Sequence, residues 1–444
     1  MAAGLAPWIT ARRDGAIRSL RGAVSATHLE RHRQGFGWTV RPVPGSILAS
    51  PRMSAWDPEP DYFHHWIRDA AIVIRVWPDI LADLPEAEHD WWVQAFHDHV
   101  TFSLAISDPA RPAPKTNPLA ATTRADHRQF LRPEAELRLL SGAAWLNETR
   151  FAPDGSPDSE RWSAPQFDGP ALRASAIMAV TAALPALSSP NADRLIARDL
   201  AHVLAHAGQP CIGPWEEPPA RRHSYTLIAQ WDALDRGAMW SAAHGDAALA
   251  ARCTAAAKRL ITLMEGAADP LQDAWIESLE GAPGQVDAAT VLAILQAGRG
   301  DGPFALTAPR TRGTAAALAQ QCASLYPINR GRAVPAIGRW AEDAFFGGNP
   351  WYPVTLGFAE LYYRIAAQTG DTAAFAKAEG WMDLIREVAP SGDALPEQFD
   401  RSSGAPTSSL ELSWSAAAFI AAAAARDAAC ARCQDSSALD RPSP

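Results

Sequence analysis

The chain has 444 residues and a net charge of −9, with both signs interspersed and no basic block, which argues against a nucleic-acid partner held by phosphate neutralisation. Its 17 tryptophans are unusual in number; such side chains pack in cores and line sugar-stacking clefts. Five scattered cysteines, Cys211, Cys253, Cys322, Cys430 and Cys433, argue against a disulfide framework and for a reducing compartment.

Apolar residues at helical spacing, alanine-rich runs and few alternating Val/Ile/Thr segments predict an all-α chain. Helices are expected over 14–26, 67–83, 88–107, 171–184, 191–207, 224–244, 246–265, 286–297, 311–325, 353–369, 371–388 and 409–426. Ser224 and Ser409 read as N-caps, and Pro170 suits a first helical turn. Residues 1–13 and 429–444 read as loose termini around a single domain, 14–428. The Pro-, Ala- and Arg-rich stretch 108–126 is a long loop or lid candidate.

Short connections join the second helix to the third, the fourth to the fifth, the sixth to the seventh and the tenth to the eleventh. Long segments rich in Trp, Pro, Gly, Asp and Glu lead into the second, fourth, sixth, tenth and twelfth. This alternation suggests a ring of helix pairs whose long loops collect at one end, where function would reside. Arg12 and Arg13 follow the weakly apolar first residues, the reverse of signal-peptide order, and the longest apolar run, 416–425, is too short to span a bilayer. A cytoplasmic protein without a membrane partner is therefore expected, with Asn147-Glu148-Thr149 an unused glycosylation sequon.

The chemistry concentrates in the long loops. Into the second helix runs Asp61-Tyr62-Phe63-His64-His65-Trp66-Ile67-Arg68-Asp69, where Arg68 and Asp69 could clamp a polyol over an aromatic floor of Tyr62 and Trp66. The two histidines lack a carboxylate or Cys at matching helical spacing, so no metal is expected. Trp162 and Pro165-Gln166-Phe167-Asp168-Gly169-Pro170 enter the fourth helix. In Gly213-Pro214-Trp215-Glu216-Glu217-Pro218-Pro219, prolines brace two adjacent acids in a rigid segment that can continue neither helix nor sheet. Gly338-Arg339-Trp340-Ala341-Glu342-Asp343 and Asn349-Pro350-Trp351 precede the tenth helix. Glu397-Gln398-Phe399-Asp400 precedes the twelfth, and Ser413-Trp414-Ser415 follows. Carboxylates, arginines and tryptophans at one rim of an α-barrel suit glycosidic cleavage, which needs a proton donor and a second carboxylate. Glu216 or Glu217 and Glu397 are the candidates.

Together these loops resemble those of the glucoamylases, inverting exo-glucosidases on an (α/α)6 barrel, over about residues 45–426. Tyr62, Trp66, Arg68 and Asp69 meet the family's Tyr-x-x-x-Trp-x-Arg-Asp block, which grips the terminal glucose. Trp162 through Arg173 meet its Trp-x-x-Pro-Gln-x-Asp-Gly-Pro-Ala-Leu-Arg block. In Trp215-Glu216-Glu217 the resemblance implies Glu216 as general acid and Glu217 as a sugar ligand, with Trp215 beside them. The family's Gly-Arg-x-x-Glu-Asp and Asn-Pro-Trp blocks are met at 338–343 and 349–351, and the resemblance implies Glu397 as the general base; Arg339, Trp351 and, from its place at the loop end, Trp414 are candidate substrate residues. The family often has Tyr-Thr-Trp in place of His64-His65-Trp66 and Asp-Leu before its Trp-Glu-Glu, where Ile212-Gly213-Pro214 stand here.

The implied activity is removal of glucose from the non-reducing ends of α-linked gluco-oligosaccharides with release of the β-anomer and no metal or organic cofactor. An α-1,4 linkage is preferred; α-1,6 cleavage, a trehalase-like hydrolase or a glucosyl transferase on the same scaffold are the alternatives. A non-catalytic sugar-binding barrel would not need the paired acids.

Overall fold

The computed structural model describes residues 4–52 and 61–439, from 433 on as backbone. The chain divides into two compact units, one of Arg21–Met53 and Asp61–Leu260, the other of Met1–Leu20, Ser54–Pro60 and Ile261–Pro444.

The helices in chain order are α1 (Leu5–Ala23), α2 (Ile67–Arg75), α3 (Trp77–Asp83), α4 (His89–Ile106), α5 (Glu134–Leu137), α6 (Asp168–Ala183), α7 (Pro190–His206), α8 (Ser224–Ala243), α9 (Ala247–Met264), α10 (Ala288–Ala297), α11 (Pro309–Leu325), α12 (Tyr352–Thr369), α13 (Thr372–Val388) and α14 (Ser413–Leu439). Short antiparallel ladders pair β1 (Arg31–Arg33) with β2 (Trp38–Val40), β3 (His65–Trp66) with β4 (Arg150–Phe151), and β5 (Gln398–Phe399) with β6 (Pro406–Thr407).

In the first unit α6 packs on α2, α7 and α8; in the second, α12 packs on α10, α13 and α14. The helices entered by long loops are the inner ones. All but one of the residues of α2 are buried, and α12 is buried from Tyr352 through Leu361. Close approach requires small residues: a Cβ on Gly357 of α12 would stand 2.7 Å from Leu292 of α10. In the first unit Arg173 of α6 and Asp199 of α7 form a fully buried bidentate pair, 2.8 and 2.7 Å.

Several boundaries differ from the sequence expectation. α1 begins at Leu5, inside the stretch expected to be loose, because Leu5, Ile9 and Arg12 are buried; Arg12 donates to the carbonyls of Gly392 and Ala394. The second expected helix breaks at Val76, ahead of Pro78, whose missing N–H suits a new first turn. Ser224 lies within the first turn of α8, with His223 at the capping position. Ser409 is not a cap either: α14 begins at Ser413 and runs to Leu439, into the expected loose tail.

The 108–126 stretch is fastened down. Asn117 donates to the carbonyls of Arg132 and Ser159, Leu119 is buried, and the Arg111 guanidinium lies 4.3 Å from the Trp145 ring centroid. Beyond it Leu137, Leu140, Trp145 and Phe151 join Ile67, Phe102 and Ile106 in one core cluster, each large side chain contributing about 1.5–3 kcal/mol by burial. That cluster lies beneath the β3–β4 ladder and the entrance to α2.

Candidate active site

In the first unit the polar cluster forms around the start of α2. Trp66 is in extended backbone just before the helix, and its register partner across the ladder is Arg150. Arg68 and Asp69 follow in the first turn, both buried. The Arg68 guanidinium reaches Gln166 Oε1 from Nη1 at 2.8 Å, Asp168 Oδ2 at 3.3 Å, and Glu216 Oε1 from Nη2 at 2.8 Å; Asp69 Oδ2 lies 3.4 Å from its Nε.

Glu216 is held by three donors from different segments. Besides Arg68, the Trp66 indole N–H donates to Oε1 at 2.7 Å and the Trp162 indole N–H donates to Oε2. Its loop closes at the base through reciprocal backbone bonds between Cys211 and Arg221, and Ile212 N donates to Pro165 O. Glu216 itself has φ +65°, the left-handed region that costs a non-glycine residue about 1–3 kcal/mol. The loop carries this strain because its ends are tied. Gly213 is needed at the bend, since a Cβ there would stand 2.8 Å from the His223 ring. Trp215 is half-buried and Glu217 exposed.

One cation thus faces three carboxylates. Burial works against the Arg68 charge, but Asp69, Asp168 and Glu216 outweigh it and hold the guanidinium protonated. Burial pushes the Asp69 carboxyl up to about 6 against the pull of Arg68, with Glu216 and Asp168 adding to the rise. Burial likewise raises Asp168, partly offset by Arg68. Asp69 Oδ2 and Asp168 Oδ1 are buried acceptors without a hydrogen-bond partner among the described residues, so the cluster can accept hydroxyl donors and take up a proton.

The aromatic floor departs from expectation. Trp66 is only 3% exposed, edge-on to Tyr62 at 5.5 Å and to Trp162 at 5.8 Å. It presents its N–H to the acid, and the more open rings are the half-buried Tyr62 and Trp162.

Carboxylates do reach His64, from a segment that helical spacing could not disclose: its ligand atoms and those of Asp158 and Glu160 lie within 4.8 Å of one another. Both acids are already paired, Asp158 with Arg150 and Glu160 with Arg33. Burial and the charges of Arg150, Arg33 and Arg31 hold His64 well below its ordinary pKa. A further cation there would have three guanidiniums for neighbours.

In the second unit Glu397 is 3% exposed. Its N–H donates to Ser409 O at 2.7 Å, its carbonyl accepts from Tyr352 N at 2.9 Å, and the Ser408 hydroxyl donates to Oε2. Asn349 Nδ2 donates to Gln398 Oε1 at 3.2 Å, and Phe399 N donates to Pro350 O. The Asn-Pro-Trp and Glu-Gln-x-Asp blocks are thereby laced together. Arg339 forks onto Asp343 at 2.8 and 2.5 Å and lies 5.1 Å from the Trp351 ring. Trp414 is buried in the first turn of α14; Leu412 N, just before the helix, donates to Leu395 O, and the Ser415 hydroxyl donates to Pro396 O. Asp400 turns away to cap the N–H groups of Ser402 and Ser403.

Gln166, Asp168, Arg150 and Ser408 were not among the site residues expected from the sequence. Gln166 and Asp168 lie in a legible motif whose Asp-Gly-Pro reads as a turn. Arg150 and Ser408 carried no sequence signal, since their partners are distant side chains.

Among the described residues no helix is long and apolar enough to cross a membrane. The Glucoamylase-1 of Arthroderma benhamiae is 26% identical to this chain, covering 88% of it and 66% of the relative. That of Schizophyllum commune is 28% identical, covering 87% and 69%. The chain thus spans about two thirds of the length of these curated relatives. The glucoamylase structure from Saccharomycopsis fibuligera superposes with a TM-score of 0.77 at 20% identity, covering 97% of this chain and 96% of that one. At that identity the likeness gives the fold, an all-α (α/α)6 barrel. The model of glycosyl hydrolases family 15 matches residues 34–424, and the chain belongs to that family.

Proposed function

We propose that the chain is an inverting exo-glucosidase that releases β-glucose from the non-reducing ends of α-linked gluco-oligosaccharides. The observation that carries this reading is the convergence of Trp66, Trp162 and Arg68 on the Glu216 carboxyl. Those donors fix one rotamer of the acid, in a cluster where one cation faces three carboxylates. The relatives named glucoamylase support the same reading.

In the proposed reaction Glu216 gives its proton to the glycosidic oxygen as the bond from that oxygen to C1 breaks. Glu397 removes a proton from water, which attacks C1 from the opposite face, so the configuration inverts. The Ser408 hydroxyl holds Glu397 in place. Inversion needs the two carboxyl groups about 6.5–9.5 Å apart, to leave room for the water. The buried acceptors on Asp69 and Asp168 suit hydroxyls of the terminal glucose, Tyr62, Trp162 and Trp215 its apolar face, and Glu217, Arg339, Trp351 and Trp414 the rest of the substrate.

An α-1,4 linkage is the preferred substrate bond. Cytoplasmic residence belongs to the proposal as well, supported by Cys211, Cys253 and Cys322, which form no disulfide among the described residues.

Proton NMR of the first product from maltose, isomaltose and trehalose tests the reading. Maltose should give β-glucose first, and a fresh α-anomer would rule out inversion. Glu216→Gln and Glu397→Gln should each lower kcat by about 10²–10⁴-fold, the scale of general acid–base catalysis. Undiminished turnover in either would remove that residue from its role.

A further inference from the structure

Both tryptophans that donate to Glu216 rest on one buried cation. The Arg150 guanidinium lies 3.6 Å from the Trp162 ring centroid and 5.0 Å from that of Trp66, and Arg150 is 2% exposed. Its backbone is pinned opposite Trp66 in the β3–β4 ladder. Its Nε donates to Asp158 Oδ2 at 2.5 Å, which fixes the plane of the guanidinium. The two indoles meet edge-on, 79° between planes, and their N–H groups go to different oxygens of the same carboxyl.

We propose that Arg150 is a positioning residue for the acid, acting through Trp66 and Trp162; this rests on the reading of Glu216 as proton donor. A cation on the face of an indole is attracted to the ring and draws electron density from it, which fixes the ring's tilt and strengthens its N–H as a donor. Because both rings share one guanidinium, their N–H groups keep a constant spacing, and the Glu216 carboxyl is held flat between them. A slack ring would let that carboxyl rotate out of line with the leaving oxygen. Asp158 balances the Arg150 charge without touching either ring's N–H.

The test compares maltose, whose leaving group must be protonated, with α-glucosyl fluoride, whose fluoride departs without a proton. Arg150→Met in the Asp158→Asn background removes both charges of the pair. Arg150→Lys keeps the charge and loses the planar stack, and serves if the first variant does not fold. Either variant should lose about 10–100-fold in kcat on maltose, part of the 10²–10⁴ that general acid catalysis supplies, with KM little changed and hydrolysis of α-glucosyl fluoride close to wild type. Equal loss on both substrates, or none on either, overturns the proposal. Glu216→Gln measured in parallel separates the two claims. If it too spares the fluoride and loses maltose while the Arg150 variants do not, only the Arg150 inference fails. If it fails to discriminate the substrates, the assignment of Glu216 falls.

Discussion

Arg68 donates from Nη2 to Glu216 Oε1 at 2.8 Å across 148 positions of sequence, while Nη1 of the same guanidinium holds Gln166 at 2.8 Å. One planar fork therefore joins the start of α2, the turn into α6 and the loop before α8. Lysine offers one point charge and cannot serve these partners together. Arg68→Lys should lower kcat/KM for maltose about 10–100-fold, the equivalent of one charge-assisted hydrogen bond. Steady-state kinetics decide, and wild-type kcat/KM would show that Arg68 does not orient the acid.

Asp69 gives the site a pH dependence. With its carboxyl at about 6, it accepts a sugar hydroxyl best above that pH, so KM for maltose should rise as pH falls through 6. Asp69→Asn should raise KM and abolish this step. For stability the sign is opposite. The folded value lies above the ordinary 3.8, so the contribution is complete below the unfolded pKa and is lost as pH rises through about 6. Melting curves should show Asp69→Asn gaining on wild type between pH 4 and 7; a constant gap would mean that Asp69 does not titrate there.

Ser408 donates to Glu397 and has φ +61°. Removing a donor from a carboxylate weakens the hold on its charged form. Ser408→Ala should lower kcat for maltose about tenfold, one hydrogen bond's worth, with KM little changed. Undiminished kcat would leave Ser408 a purely structural role.

The Arg173–Asp199 pair has both side chains at 0% exposure. Arg173→Met strands a carboxylate in the core and should cost about 3–5 kcal/mol, whereas replacing both partners by apolar residues should recover most of that. Urea unfolding measures it; equal losses in the single and double variants would contradict the desolvation argument.

The inner helices were legible in the sequence because burial on every side leaves long apolar runs, as in α10 and α12, and the loops before them carry Trp, Pro and acids in recognisable blocks. The break at Val76 and the early start of α1 were less legible. Pro78 is tolerated in a first turn as readily as it ends a helix, and the burial of Leu5, Ile9 and Arg12 depends on partners far along the chain. The stretch 108–126, expected as a long loop or lid, is a long loop, and its fastening was not legible because its anchors Arg132, Ser159 and Trp145 lie outside it.

By itself the sequence determined the all-α class, the alternation of inner and outer helices and the residue types brought to the loops, since helical periodicity and proline stops act locally. Tertiary structure alone decided how those residues are used. Trp66 became a donor in place of an open floor because β4 covers its face with Arg150. His64 met Asp158 and Glu160 only together with the guanidiniums that occupy them. Burial and charge pairing depend on which distant segments meet, and local pattern carries no record of those meetings.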